Sequence, residues 1–176
     1  MGSCKRVSVM GDRIVSMARE AGVRCSDVKC ENLKKFLEAF TRIGYDLDFL
    51  TKTRPKYDIQ EILPPLFRAM ETDIPIEDHK LEELIIALSQ EGILDDMLEE
   101  AFAKIRAFDR SRRPCYALIL EKLYFCENPL DNEQVRKLTK YSYSQYFVKK
   151  DEAVRLFGLF FWRKLRNLLN TDIYMD

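Results

Sequence analysis

The sequence predicts an all-α fold, a right-handed bundle or short superhelix of about eight helices of the HEAT or armadillo kind. Three observations predict it. Apolar residues recur at the i, i+3, i+4 spacing of a helix face along most of the chain. Only six Gly and six Pro punctuate 176 residues, so turns are few and helices long. An apolar fraction of 47% beside a charged fraction of 33% suits a soluble chain that buries a core. No fixed period links the helices, so any repeats are degenerate.

Taken in order, Asp12 caps a first helix bearing Ile14, Val15, Met17 and Ala18, which Gly22 closes. Ser26 and Asp27 introduce a second, with Leu33, Phe36, Leu37, Phe40 and Ile43 at helical spacing and Gly44 as its stop. Leu47, Phe49 and Leu50 extend the core until Pro55. Asp58 starts a stripe of Ile59, Ile62, Leu63, Leu66, Phe67 and Met70, in which Pro64 and Pro65 predict a break near Leu63 or a helix starting around Pro64. From Glu77 the pattern sharpens. Leu81, Leu84, Ile85, Ala87 and Leu88 share one face, Glu77, Asp78, Glu82 and Glu83 the other, and Gly92 ends the helix. Ile93, Leu94, Met97, Leu98, Phe102 and Ile105 make the next, and Arg110 to Arg113 read as a charged loop after it.

The C-terminal third holds the only Trp and the clearest helices. A helix from Pro114 carries Tyr116, Leu118, Ile119, Leu120, Leu123, Tyr124 and Phe125, and Asn128 and Pro129 stop it. Asp131 caps a short helix with Val135 and Leu138. The last helix opens at Asp151 and Glu152, which suit the positive end of a helix dipole. It is apolar on too many sides for a surface helix, so it should be central, with Leu120, Leu123, Phe157, Phe161, Trp162 and Leu165 as core.

Those residues also carry a resemblance. The order helix, Asn128-Pro129-Leu130, helix with Val135 and Leu138, polar loop, then a final helix with Trp162 and Leu168-Leu169 resembles the N-terminal domain of transcription factor IIS. The stretch from Gly92 to Leu123 resembles the part of the Iws/Spn transcription elongation factors where a helix ends in a Leu-Pro-Asp-x-Ser-Leu-Pro loop, with Asp109, Ser111 and Pro114 in the matching places. Two registers of the last helix fit: Gly158 on the family's small residue puts Leu165 on its Trp, and Trp162 on that Trp puts Arg155 on the small residue. The resemblance covers Leu81 to Leu169. It implies one helical domain over 1–176, with N-terminal helices over 1–75 and a transcription factor IIS N-terminal-like part over 77–170. It also implies a nuclear protein that binds a segment of the histone chaperone Spt-six and reaches RNA polymerase II through it.

Formal net charge is zero, so bulk charge does not drive binding to nucleic acid. The distribution is uneven: residues 71–100 hold eleven Asp/Glu against Lys80 alone, and residues 127–170 hold nine Lys/Arg against five Asp/Glu. Five Cys, at 4, 25, 30, 115 and 126, are odd in number and irregularly spaced. They read as reduced core thiols, Cys115 and Cys126 within an apolar helix, rather than a disulfide framework. No apolar run approaches the roughly 20 residues that span a bilayer, so no membrane partner is expected. Met1-Gly2-Ser3 reads as a cloning remnant, because Arg6 stands where myristoylation wants Ser or Thr.

Constellations for catalysis are scarce. His79 is the only histidine and sits in an acidic helix start, so a His-dependent triad has no assembled partners. The Cys form no Cys-x-x-Cys pair and no Gly-rich phosphate loop exists. The expectation is therefore no enzyme, no cofactor and no metal. Binding features are better. Arg forks at Arg110 and Arg113, beside Asp109, suit carboxylates of an acidic segment. Tyr141, Tyr143, Tyr146 and Phe147, followed by Lys149 and Lys150, offer aromatic walls and cations. The helix from Pro114 and the helix after Asp131 should be antiparallel, which brings these two groups to one end of the bundle as a site for an acidic, aromatic peptide.

Overall fold

The computed structural model describes residues 27–112 and 115–171. The expected helix from Asp12 to Gly22, Arg113 and Pro114 lie outside them. The described chain is all-helical and holds no strand. Its elements are α1 (Asp27–Ile43), a 3-10 turn (Gly44–Asp46), α2 (Leu47–Thr53), α3 (Ile59–Glu71), α4 (Asp78–Gln90), α5 (Leu94–Arg112), α6 (Tyr116–Leu120), α7 (Asn132–Thr139) and α8 (Tyr143–Thr171). Helix α6 continues as a π turn over Glu121–Phe125.

Helix α8 runs 29 residues, about 43 Å at the helical rise. It packs against α1, α3, α5, α6 and α7. Its apolar residues point several ways because it has neighbours on several sides. Leu120, Leu123, Phe157, Phe161, Trp162 and Leu165 are all buried. The aromatic rings among them pack on neighbours: Phe157 stacks on Phe161 at 5.3 Å, Phe36 of α1 meets Phe161 at 5.0 Å, and Phe67 of α3 meets Trp162 edge-on at 5.0 Å. Edge-on and offset rings add to the gain from burial alone.

Polar side chains hold the connections. Asn32, buried on α1, donates to Ile74 O at 3.1 Å and accepts from Ile76 N at 2.9 Å, which ties the α3–α4 turn to α1. Gln90 at the end of α4 accepts from Tyr57 N at 2.9 Å and donates to Pro55 O at 3.1 Å, fixing the α2–α3 connection. Gly92, at φ +71, makes the turn out of α4 that a side chain would strain. In the π turn, the Lys122 carbonyl accepts from Leu130 N at 2.9 Å and the Tyr124 carbonyl from Thr41 Oγ1 at 3.2 Å.

Several expectations change. Pro64 and Pro65 do not break α3, which runs through both. Each Pro withdraws a donor from the carbonyl four residues back, and those carbonyls belong to Gln60 and Glu61, exposed residues that water can satisfy. Phe49 is 67% exposed and does not extend the core, because α2 is a short helix that turns only Leu47 and Leu50 inward. Leu138 is 50% exposed: a two-turn helix presents one residue fully to the core, and that residue is Val135. Cys115 and Cys126 flank the α6 segment and are half-buried, so of the described thiols only Cys30 is a core residue. Arg110 is not in a loop, since α5 continues to Arg112.

The largest correction is the start of α8. It begins at Tyr143, eight residues before Asp151. Ser142 and Gln145 cap it reciprocally: Gln145 N donates to Ser142 Oγ at 3.3 Å and Ser142 N donates to Gln145 Oε1 at 3.2 Å. Asp131 does the same for α7 with Gln134. Among the described residues no helix is long and apolar enough to cross a membrane.

Candidate interaction surface

Asp109, in the last turn of α5, caps the start of α6. Its carboxylate accepts from Tyr116 N at 3.2 Å and Ala117 N at 2.9 Å, the first free N–H groups of α6. Burial pushes the Asp109 carboxyl above its ordinary range, and these two bonds oppose the shift. Tyr141 comes near the same end, where Cys115 and Asp109 act on its phenol electrostatically. Burial and these neighbours raise the Tyr141 phenol. Asp109 thus serves as a cap of α6 rather than as a ligand.

Behind this end lies a buried polar pair. Glu152 is only 5% exposed, and its carboxylate accepts from the Tyr116 hydroxyl in a short hydrogen bond and from Lys149 Nζ at 3.1 Å. Burial first, then the bond to Glu152, drives the Tyr116 phenol far up. A buried carboxylate left without these donors would cost several kcal/mol, on the order of 3–5. Lys149 is thereby committed to the interior.

Tyr146 and Lys150 share a second acceptor. Both donate to Asn132 Oδ1 at 3.0 Å, and Lys150 also lies 6.0 Å from the Phe147 ring centre. Burial pulls the Lys150 ammonium below its usual range, and the nearby Lys34 adds to this. Tyr146 is fully buried. It belongs to the core, so Tyr146, Asp109, Lys149 and Lys150 leave the expected binding surface. The polar atoms of Tyr146, Lys149 and Lys150 are held by Asn132 and Glu152 because the early start of α8 turns every third or fourth residue of the Tyr143–Lys150 stretch inward.

What remains outside is smaller and more aromatic. Tyr143 is 69% exposed, and its ring meets Phe147 edge-on at 4.9 Å. Phe147 in turn leans on Tyr146 at 5.2 Å, so the outer pair stands on a fixed base. Arg110 is exposed on the last turns of α5. Leu138, Lys137 and Lys140, which the sequence reading left out, are exposed at the end of α7, joined to α8 by Lys140, Tyr141 and Ser142. Lys137 and Lys140 make no ion pair among the described residues. Arg136 holds this corner by donating to Tyr141 O at 3.2 Å. The signal that could have located the corner is Ser142-x-x-Gln145, a helix-start pattern that turns an apparent loop into an outward-facing first turn. No group of three or more His, Cys, Asp and Glu able to hold a metal occurs among the described residues.

The chain matches no protein-family model, no curated protein and no solved structure. What the corner can do follows from its chemistry: two edge-on aromatic rings accept an apolar anchor, and two ammonium groups with no ion pair among the described residues favour an acidic neighbour of that anchor.

Proposed function

We propose that the chain is a protein-interaction scaffold of RNA polymerase II transcription elongation. It acts in the nucleus, binds a short acidic, aromatic segment of an Spt-six-type histone chaperone and meets the polymerase only through that partner. It has no catalytic step. The observation that supports the interaction reading is the Tyr143–Phe147 pair, with Tyr143 exposed and Phe147 resting on Tyr146, joined through Tyr141 and Ser142 to the exposed Lys137, Leu138 and Lys140 at the end of α7. Tyr is a residue type enriched among binding hot spots, and a rigid base lowers the ordering cost of docking.

The elongation-factor form of the reading rests on the resemblance. It is supported by the sequence of long α5, Asp109 cap, α6, Asn128-Pro129-Leu130 turn, short α7 and long α8. We read this architecture as a HEAT- or armadillo-like superhelix ending in a transcription factor IIS N-terminal-like bundle. Leu33 seated on Gly158 favours the register in which Gly158 takes the family's small position and Leu165 its Trp.

Isothermal titration of the chain with an acidic, aromatic fragment of the Spt-six chaperone tests this, with single-stranded RNA and duplex DNA titrated in parallel. Saturable one-to-one binding of the fragment is expected. Binding to nucleic acid with none to the fragment would instead select a small helical nucleic-acid-binding protein.

A further inference from the structure

A second candidate binding feature lies between α3 and α4. Helices α3 and α4 run antiparallel and enclose an open cavity of about 290 Å³, lined by Tyr57, Asp58, Glu61, Ile62, Pro65, Leu66, Lys80 and Glu83. Its floor is apolar: Leu66 is buried and Ile62 and Tyr57 are half-buried, so the floor is already dry on one side. The rim is charged, with three carboxylates, Asp58, Glu61 and Glu83, against the one ammonium of Lys80.

Several carboxylates elsewhere in the molecule are held by cations. Glu82 pairs with Arg42 at 2.6 Å, Glu91 with Lys56 at 3.5 Å, Glu100 with Lys164 at 2.8 Å and Asp151 with Lys34 at 2.9 Å. Glu61 and Glu83 make no ion pair among the described residues. Asp58 gives one oxygen to Gln60 N at 2.9 Å as the cap of α3. Glu83 belongs to an acidic stretch, residues 71–100, which carries eleven Asp/Glu and a single Lys and adds its field to that of the rim. Such a field draws in a chain of several cations rather than one isolated ammonium.

We infer that this groove is a docking site for a basic peptide segment of a partner protein. One Arg or Lys of the segment lays its aliphatic stem over Tyr57, Ile62 and Leu66 and places its charged head between Glu61 and Glu83, while neighbouring basic residues of the segment follow the acidic face of α4. A long cationic side chain suits the groove because its stem is apolar and only its tip is charged. The site is independent of the Tyr143–Phe147 corner, and it calls for a partner of opposite charge to the one read there.

Fluorescence anisotropy of a labelled peptide carrying Arg residues spaced by Ala and Leu tests it on the full chain. Glu83→Lys should weaken binding at least tenfold, while Glu99→Lys, an exposed change of equal charge outside the cavity, should change it less than about twofold when the local contact outweighs the general field. Glu61→Gln should also weaken it, and thermal melting of each variant should match the wild type, since neither rim carboxylate holds a structural partner. Equal losses for Glu83→Lys and Glu99→Lys, or no loss for either, would overturn the groove as the site.

Discussion

A β-carbon on Gly158 of α8 would stand 2.2 Å from Cδ1 and 3.0 Å from Cγ of Leu33 on α1. The two helices meet at this closeness because one of them has no side chain there. Gly158→Ala gains up to about 1 kcal/mol of helix propensity but forces the whole Leu33 side chain to move, at a cost of about 1–3 kcal/mol. We expect a net loss of stability in denaturant titration, and a double-mutant cycle with Leu33→Ala should recover much of it. Additive effects would mean that the helices do not touch at this point.

Tyr146 distinguishes core from surface within the stretch before Asp151. Tyr146→Ala should destabilise by about 3–5 kcal/mol, as a large aromatic truncation does. Tyr146→Phe should cost about 1 kcal/mol, the worth of one hydrogen bond, since Asn132 keeps Lys150 as a donor. Chemical denaturation of both variants checks the contrast. A neutral Tyr146→Ala would put this ring back on the surface.

Trp162 is buried against Phe67 and next to Phe161. Trp162→Ala should therefore lower stability by about 3–5 kcal/mol, a large share of what a domain of this size possesses. An unchanged melting midpoint would place α8 at the periphery rather than the centre.

The helical class and the buried residues of α4, α5 and α8 were legible because apolar spacing is a direct image of a one-sided environment. Leu81 to Leu88 and Phe157 to Leu165 repeat every three or four residues, and burial demands that repeat. The errors have separate causes. Pro64 and Pro65 announce a break, yet the residues four positions back, Gln60 and Glu61, are exposed, and sequence does not show which side of a helix will be wet. The candidate site was legible as a region but not in its orientation. Tyr143 and Tyr146 are the same residue type three positions apart, and one is exposed and the other buried. Only the start of α8, set by Ser142 and Gln145, decides which is which. Lys149 looked like a free cation because its partner, Glu152, is buried by packing that a linear pattern does not reveal.

Alkali should expose the same packing. Burial and the nearby Asp131 push the Tyr146 phenol up to about 12, and burial raises Tyr116 and Tyr124 as well. Unfolded tyrosines ionise near about pH 10. The native state thus holds these protons more tightly than the unfolded chain does. The resulting stability is fully present below about pH 10 and is lost progressively as pH rises from there through the folded values. Helix content by circular dichroism should fall over that alkaline range, together with the late part of the phenolate absorbance. Complete tyrosine ionisation near about pH 10 with the helices intact would contradict the burial of these three rings.

The exposed aromatic corner is best tested by titrating Tyr143→Ala with the acidic, aromatic chaperone fragment while following folding by circular dichroism. Because Tyr143 is 69% exposed, its loss should leave the melting midpoint within experimental scatter, yet weaken the fragment at least tenfold, about 1.4 kcal/mol. Lys137→Glu combined with Lys140→Glu should do the same and should flatten the dependence of association on salt. Wild-type affinity in Tyr143→Ala, with the fold unchanged, would contradict the assignment of this corner as the partner's docking surface.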